Sequence, residues 1–222
     1  LAAQQHAFKL GGRKLPSQWR AVMGPGRNKR SIARLQTSKP YLEWVCAYDA
    51  WVRAVVVPAV GESIYYQRPP TLRIAMPAYA PTIAMHRDAD YHGHHPAEIN
   101  FWSPLTRVAD SSALWLESAP EAADFAPRPL DVGQCMRFNG YLCRHFTKPN
   151  ATSSTRVSFD LRCIPASAIR HADQPPLMIG DYPCEFMPFA QAPPVVAPCP
   201  STCNAGDLRE PGLAEAPPES SE

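Results

Sequence analysis

The sequence predicts a mainly β protein with an N-terminal helix, folded as a double-stranded β-helix (jelly roll). Three observations lead there. One stretch near the N-terminus has apolar residues at helical spacing. Seven or eight short runs with a period of two follow it, and proline and glycine turn signals separate them at jelly-roll spacing. At 222 residues, with 45% apolar and 19% charged residues, the chain is one domain with extensions, long enough to bury a core.

Taken in order, residues 1–37 read as a basic, flexible leader. Nine Lys or Arg and no Asp or Glu fall in residues 1–42, and Gly11-Gly12 and Gly24-Pro25-Gly26 break any regular pattern. A nucleic-acid arm or the remnant of a transit peptide would look similar. Aromatic residues are scarce there, which favours a solvated leader and disfavours nucleic acid. Residues 38–168 form the predicted domain. Tyr41, Trp44, Val45, Tyr48, Trp51, Val52, Val55 and Val56 make one stripe at helical spacing, so a helix packs this face on the core. Ser38 stands where an N-cap belongs, and Pro58 and Gly61 where the helix must stop.

Beyond Gly61 the period becomes two. Tyr65-Tyr66, residues 71–76, 83–86, 99–105, 114–117, 134–139, 141–146 and 156–164 read as strands. Residues 169–222 carry Pro175-Pro176, Pro193-Pro194 and an acidic end, and read as a proline-rich, disordered tail. Seven cysteines without small-domain spacing argue against a disulfide framework and for a reducing compartment, the cytoplasm by default or an organelle. No apolar run approaches the roughly 20 residues of a membrane span. Cys199 and Cys203 lack the second pair of a zinc site. Asn150-Ala151-Thr152 matches a glycosylation acceptor.

The chemistry concentrates in residues 86–100. His86 and Asp88 are two apart, so in an extended segment both side chains leave one face and can converge on one metal ion. His145 is the best third ligand, 57 residues beyond Asp88. Two histidines and a carboxylate on one face of a metal, with the remaining positions open, suit non-haem Fe(II) chemistry. Asp90 is the rival carboxylate. Each feature alone is common: His-x-Asp arises by chance, and a lone strand histidine is usually a satisfied core or surface residue. On the last strand Val157, Phe159, Leu161 and Cys163 share one face, and Arg156 and Ser158 the other. A guanidinium grips a carboxylate with two charge-assisted hydrogen bonds, and a hydroxyl two residues on can add another. Alternatively Arg156 simply pairs with Asp160.

In combination, His-x-Asp, a later His and Arg-x-Ser resemble the Fe(II)/2-oxoglutarate-dependent oxygenases. Residues 86–106, with Leu114-Trp115-Leu116-Glu117-Ser118, Asp124-Phe125, Phe138-Asn139-Gly140 and residues 155–162, are similar to the oxygenase family that includes the streptomycin-biosynthesis protein G. Tyr66-Gln67 and Pro69-Pro70-Thr71-Leu72-Arg73 extend the match upstream. The likeness runs from about residue 41 to 165 and departs at His92-Gly93-His94-His95, where relatives have a simpler Tyr-Gly-His segment. It implies an enzyme, a 2-oxoglutarate-dependent dioxygenase that consumes O2, releases succinate and CO2, and hydroxylates a small polar metabolite. By the resemblance His86, Asp88 and His145 are the metal ligands, Arg156 anchors 2-oxoglutarate, and Ser158 helps it. His-x-Asp fits this motif better than the spacing to Asp90.

Arg73, set among apolar strand residues, contacts 2-oxoglutarate or substrate, or pairs with a carboxylate such as Glu98 or Glu117. Asn100 and Trp102 leave their strand together and line the substrate pocket or, for Trp102, fill the core. Tyr66 is a further candidate for substrate contact. His92, His94 and His95 could gather a second metal, but the neighbouring prolines and glycine favour an exposed loop. The rival to an enzyme is a non-catalytic jelly-roll module that binds metal as a sensor. The sequence carries no signal for oligomeric state.

Overall fold

A computed structural model describes residues 6–8, 37–77, 81–170 and 177–189. The expected behaviour of the rest of the leader, of residues 190–222 and of Cys199 and Cys203 lies outside the described residues. Among the described residues the architecture is mainly β, with one N-terminal helical segment and two antiparallel sheets.

The helical segment begins at Lys39 with Ser38 in an extended N-cap conformation and no side-chain capping bond. It runs as α1 (Lys39–Trp51), takes a π register over Val52–Val56, and ends as α2 (Val57–Val60). The π register ends two residues before Pro58, whose missing N–H removes one ordinary helical bond. Gly61 ends the helix in the left-handed region at φ 88°, a conformation only glycine adopts without cost. Tyr48, Val52, Val56 and Val57 pack against Ile64, Tyr66, Phe101, Leu161, Cys163 and Met187. Each such buried side chain contributes about 1.5–3 kcal/mol.

The large sheet is organised around β9 (Arg156–Pro165). On one side β3 (Thr71–Ala75) and β2 (Ile64–Gln67) lie end to end along it, parted by the Arg68-Pro69-Pro70 break. On the other side lies β4 (Ile99–Pro104), which in turn pairs with β7 (Met136–Phe138). The small sheet orders β6 (Ala126–Arg128), β5 (Leu114–Leu116) and β8 (His145–Thr147). Trp102, Val108 and Leu114, with Ile83, Leu130, Met136 and Phe138, fill the space between the sheets. One face of the large sheet therefore meets the helix, and the other meets the small sheet. Alternation along β9 sends Phe159, Leu161 and Cys163 to the helix and Arg156, Ser158, Asp160 and Arg162 to the opposite face.

Several expectations need correction. The segment 83–86 is no strand: only His86 bridges to His145. The leader is not wholly loop, because β1 (His6–Phe8) pairs with β3. Nor does the fold end at residue 168. β10 (Met178–Ile179) and β11 (Tyr182–Met187) form a hairpin, and β11 pairs with β2. Ile179, Tyr182 and Met187 are buried, and the prolines around this hairpin hid its alternation. Cys46 is disulfide-bonded, whereas Cys135, Cys143, Cys163 and Cys184 are free thiols. Asn150 is buried and donates to the carbonyls of Ala75 and Ser154, so it is not presented as a glycosylation acceptor. Among the described residues no helix is long and apolar enough to cross a membrane.

Candidate metal centre

Two chain segments zip together to build the site. His86 and His145 exchange backbone hydrogen bonds of 3.2 and 2.9 Å, Asp88 N donates to Gly140 O at 2.8 Å, and Ala89 N to Tyr141 O at 3.1 Å. Asp88 opens a single 3-10 turn, Asp88–Asp90, so the His-x-Asp pair converges through a bridge and a turn rather than along a strand. The imidazoles of His86 and His145 lie 4.4 Å apart between centroids. His86 Nε2 stands 3.7 Å from Asp88 Oδ1, and ligand atoms of His86, Asp88 and His145 all fall within 4.8 Å of one another.

Hydrogen bonding fixes the histidine tautomers. His86 Nδ1 lies 2.8 Å from Ala84 O, and His145 Nδ1 lies 3.0 Å from Cys143 O. A carbonyl only accepts, so each Nδ1 carries a proton and each Nε2 is the nitrogen left to face a metal. Burial pushes the His145 pKa down to about 4, and the ring is neutral at pH 7. Burial drives the Asp88 carboxyl upward, but the Arg162 charge and the two Arg162 hydrogen bonds outweigh it and hold the group well below the usual carboxylate range. The donor set is thus two imidazoles and one carboxylate, with His86 and Asp88 spaced close to the roughly 3 Å of neighbouring ligands about 2.1 Å from one ion.

Arg162 has no assigned role in the sequence reading. It donates Nε to Asp88 Oδ2 and Nη2 to Oδ1, both at 2.9 Å. The signal was present in the alternation: Arg156, Ser158, Asp160 and Arg162 are four polar residues on a buried strand face, and such groups stay buried only with partners or a task. Asn100 also turns to Asp88, donating Nδ2 to Oδ2 at 2.7 Å.

Arg156 is buried but pairs with no carboxylate. Its nearest acceptors are Ser112 O at 3.4 Å and Thr82 Oγ1 at 3.3 Å, and its Nε is left without a partner. Burial and the Arg73 charge pull its pKa down to about 10, which leaves it charged at neutral pH. The Ser158 hydroxyl is fully buried and likewise unbonded. Arg73 pairs with Asp160 and not with Glu98 or Glu117, so Asp160 is the partner of Arg73 and not of Arg156. The three arginines 73, 156 and 162 therefore face two aspartates, 88 and 160, leaving one positive charge uncompensated in a buried space. That space reaches the metal ligands through Thr82, whose hydroxyl lies 2.9 Å from that of Thr147, on the buried side of β8 that His145 shares.

The remaining candidates scatter. Trp102 sits in the core between the sheets. Tyr66 faces the helix, where its hydroxyl donates to Asp49 Oδ1 at 2.8 Å, and it is not brought to the metal residues. Asp90 is exposed and paired with Arg87 at 2.9 Å. His92 is exposed, whereas His94 is not the loop decoration expected. Its Nδ1 lies 2.8 Å from the buried Glu98 carboxylate, and Asp88, His94 and Glu98 form a second trio with ligand atoms within 4.8 Å.

No protein-family model matches the chain. A curated relative, the streptomycin biosynthesis protein StrG of Streptomyces griseus, is 32% identical over 127 residues, 54% of this chain and 60% of the relative. The chain thus spans about three-fifths of that protein's length. Among solved structures, the non-heme alpha ketoglutarate dependent carbocyclase SnoK from nogalamycin biosynthesis aligns at TM-score 0.43 and 13% identity, covering 68% of this chain and 72% of its own. The epimerase SnoN in complex with Fe3+, alpha ketoglutarate and nogalamycin RO aligns at 0.39 and 16%, covering 74% and 75%. A nickel complex of the non-heme monooxygenase ThoJ aligns at 0.39 and 19%, covering 67% and 63%.

Proposed function

We propose that the chain is an Fe(II)- and 2-oxoglutarate-dependent dioxygenase that hydroxylates a small polar metabolite. The observation that carries this is the buried, unpaired Arg156 guanidinium on the strand face that also holds the unbonded Ser158 hydroxyl. A charged group buried without a partner is costly, and this one fits a carboxylate, the distal end of 2-oxoglutarate. His86, Asp88 and His145 fit Fe(II), since neutral imidazole and carboxylate with open positions remaining is the donor set of non-haem iron.

When bound, the iron couples the decarboxylation of 2-oxoglutarate by O2, giving succinate and CO2, to insertion of one oxygen atom into a substrate C–H bond. The chain's own residues prepare that chemistry. Ala84 O and Cys143 O hold the imidazoles with Nε2 available, and Asn100 and Arg162 keep Asp88 ionised. Arg156, assisted by Ser158, aligns the co-substrate through its far carboxylate. Arg73, fixed by Asp160, adds positive potential to the same space. The relative named for streptomycin biosynthesis supports a sugar-like or aminocyclitol-like substrate class.

The test is an anaerobic titration of the purified chain with Fe(II) and 2-oxoglutarate, followed by the visible charge-transfer absorption of a metal-chelated keto acid. The band should form in the wild type and disappear in His145→Ala. A folded, iron-loaded wild type without the band would overturn the proposal in favour of a non-catalytic binding module.

A further inference from the structure

We infer that Asn100 and Arg162 are positioning residues that reserve Oδ2 of Asp88, leaving Oδ1 as the one oxygen this carboxylate gives the metal. The inference rests on the metal assignment proposed above. It begins from the two oxygens being in different surroundings. Oδ2 accepts two hydrogen bonds, from Asn100 Nδ2 at 2.7 Å and Arg162 Nε at 2.9 Å. A carboxylate oxygen has about two good lone-pair positions, so Oδ2 is filled. Oδ1 accepts a single bond, from Arg162 Nη2 at 2.9 Å, and is the oxygen that lies 3.7 Å from His86 Nε2.

Both clamps are themselves held. The Asn100 side-chain oxygen accepts the Gly140 N–H at 2.9 Å. This fixes the amide so that its NH2 end, and not its oxygen, meets Asp88. A Cβ on Gly140 would stand 2.5 Å from Asn100 Nδ2, so the cradle closes only around a glycine. Arg162 is 8% exposed at its side chain and lies 3.9 Å from Asp160 Oδ2, while Asp160 is held by Arg73. The clamp is therefore a chain from β3 through β9 to the 3-10 turn, with Asn100 on β4 closing it from the other side.

The consequence concerns how many positions the protein fills. Were both oxygens to bind, the chain would occupy four of the six positions of an octahedral ion; reserving Oδ2 limits it to three. The freed position is one a co-substrate or small molecule can use. A metal then takes the second lone-pair position of Oδ1, beside the bond from Arg162 Nη2, and leaves the two bonds on Oδ2 intact.

Mn(II) serves as the probe, on the full chain and with no turnover needed. Its affinity is measured by titration, and its bound waters are counted from the broadening of its electron paramagnetic resonance in 17O-enriched water. The wild type should bind Mn(II) with three waters. Asn100→Ala and Arg162→Lys should each weaken binding about 10- to 100-fold, and the double variant should keep only two waters because Oδ2 now binds. Circular dichroism of the metal-free variants establishes that each is folded, and Arg162→Lys carries the affinity test alone should Asn100→Ala fail to fold. Wild-type affinity in the folded variants would overturn the inference. So would weakened binding with three waters in the double variant, which would mean support without reservation of Oδ2. A wild type that binds no Mn(II) would instead sink the metal assignment itself.

Discussion

Gly140 and Asn100 fit against each other as donor and acceptor with no room for a further atom. The Gly140 N–H donates to Asn100 Oδ1 at 2.9 Å, and a Cβ on Gly140 would meet the Asn100 side chain at 2.5–2.7 Å. Since Gly140 is absent from the glycines with positive φ, the demand is steric and not conformational. We expect Gly140→Ala to push Asn100 off Asp88, costing about 1–3 kcal/mol of stability and weakening Mn(II) binding. Urea unfolding and metal titration measure the two effects. A variant matching the wild type in both would show that the cradle yields without consequence.

Arg156 gives a prediction in which stability and binding move in opposite directions. Its charge is buried without a counterion, so Arg156→Met should stabilise the ligand-free chain, by about 1–3 kcal/mol. The same substitution should raise the 2-oxoglutarate concentration needed to form the keto-acid band about 10- to 100-fold while sparing metal affinity. A lower melting temperature with unchanged 2-oxoglutarate demand would show that Arg156 is a structural residue. Strain kept at a binding site and relieved on its removal is a recurring exchange of stability for function.

Much of this was legible in the chain. The helix announced itself because its stripe packs on one face of a sheet, and β9 because strict alternation separated Phe159 and Leu161 from Arg156 and Ser158. His86, Asp88 and His145 could be grouped because spacing and residue type together narrow the chemistry. Arg162 lies on the same alternation, three steps past Arg156, but its task depends on Asp88, a partner 74 residues away. The glycine and proline around His94 point to an exposed loop, yet the turn at Gly180, whose N–H donates to Gly93 O at 2.7 Å, packs over it. That contact joins residues far apart in sequence, and local pattern does not encode it. The same holds for Tyr66, whose hydroxyl partner Asp49 is set by how the helix docks.

Glu117 supplies a pH dependence of folding through Arg144, the residue before His145. Its carboxyl is pulled down to about 2, by hydrogen bonds from the Arg144 side chain above all, with the backbone N–H groups of Arg144 and Ala123 adding to them against an upward push from burial. The folded value lies below the ordinary 4.5. Its contribution is therefore complete above pH 4.5 and is lost as the pH falls from 4.5 toward 2. Urea midpoints of the metal-free chain should drop across that window, and the drop should be shallower in Glu117→Gln. Parallel curves for the two proteins would remove Glu117 from the acid response.

The segment 177–189 decides where the domain ends. Ile179, Tyr182 and Met187 are 0%, 5% and 4% exposed, and Met187 belongs to the core beneath the helix. Burying each contributes about 1.5–3 kcal/mol, a sum on the order of a whole domain's net stability. β11 also covers the outer edge of β2 through four residue pairs, from Cys184↔Gln67 to Met187↔Ile64, and an uncovered edge invites pairing with another chain. A chain truncated after residue 168 should therefore be aggregated or unfolded by circular dichroism and should not bind Mn(II). A soluble, metal-binding product of that truncation would mean that the hairpin is an accessory, and that β2 and β9 alone carry the edge of the sheet.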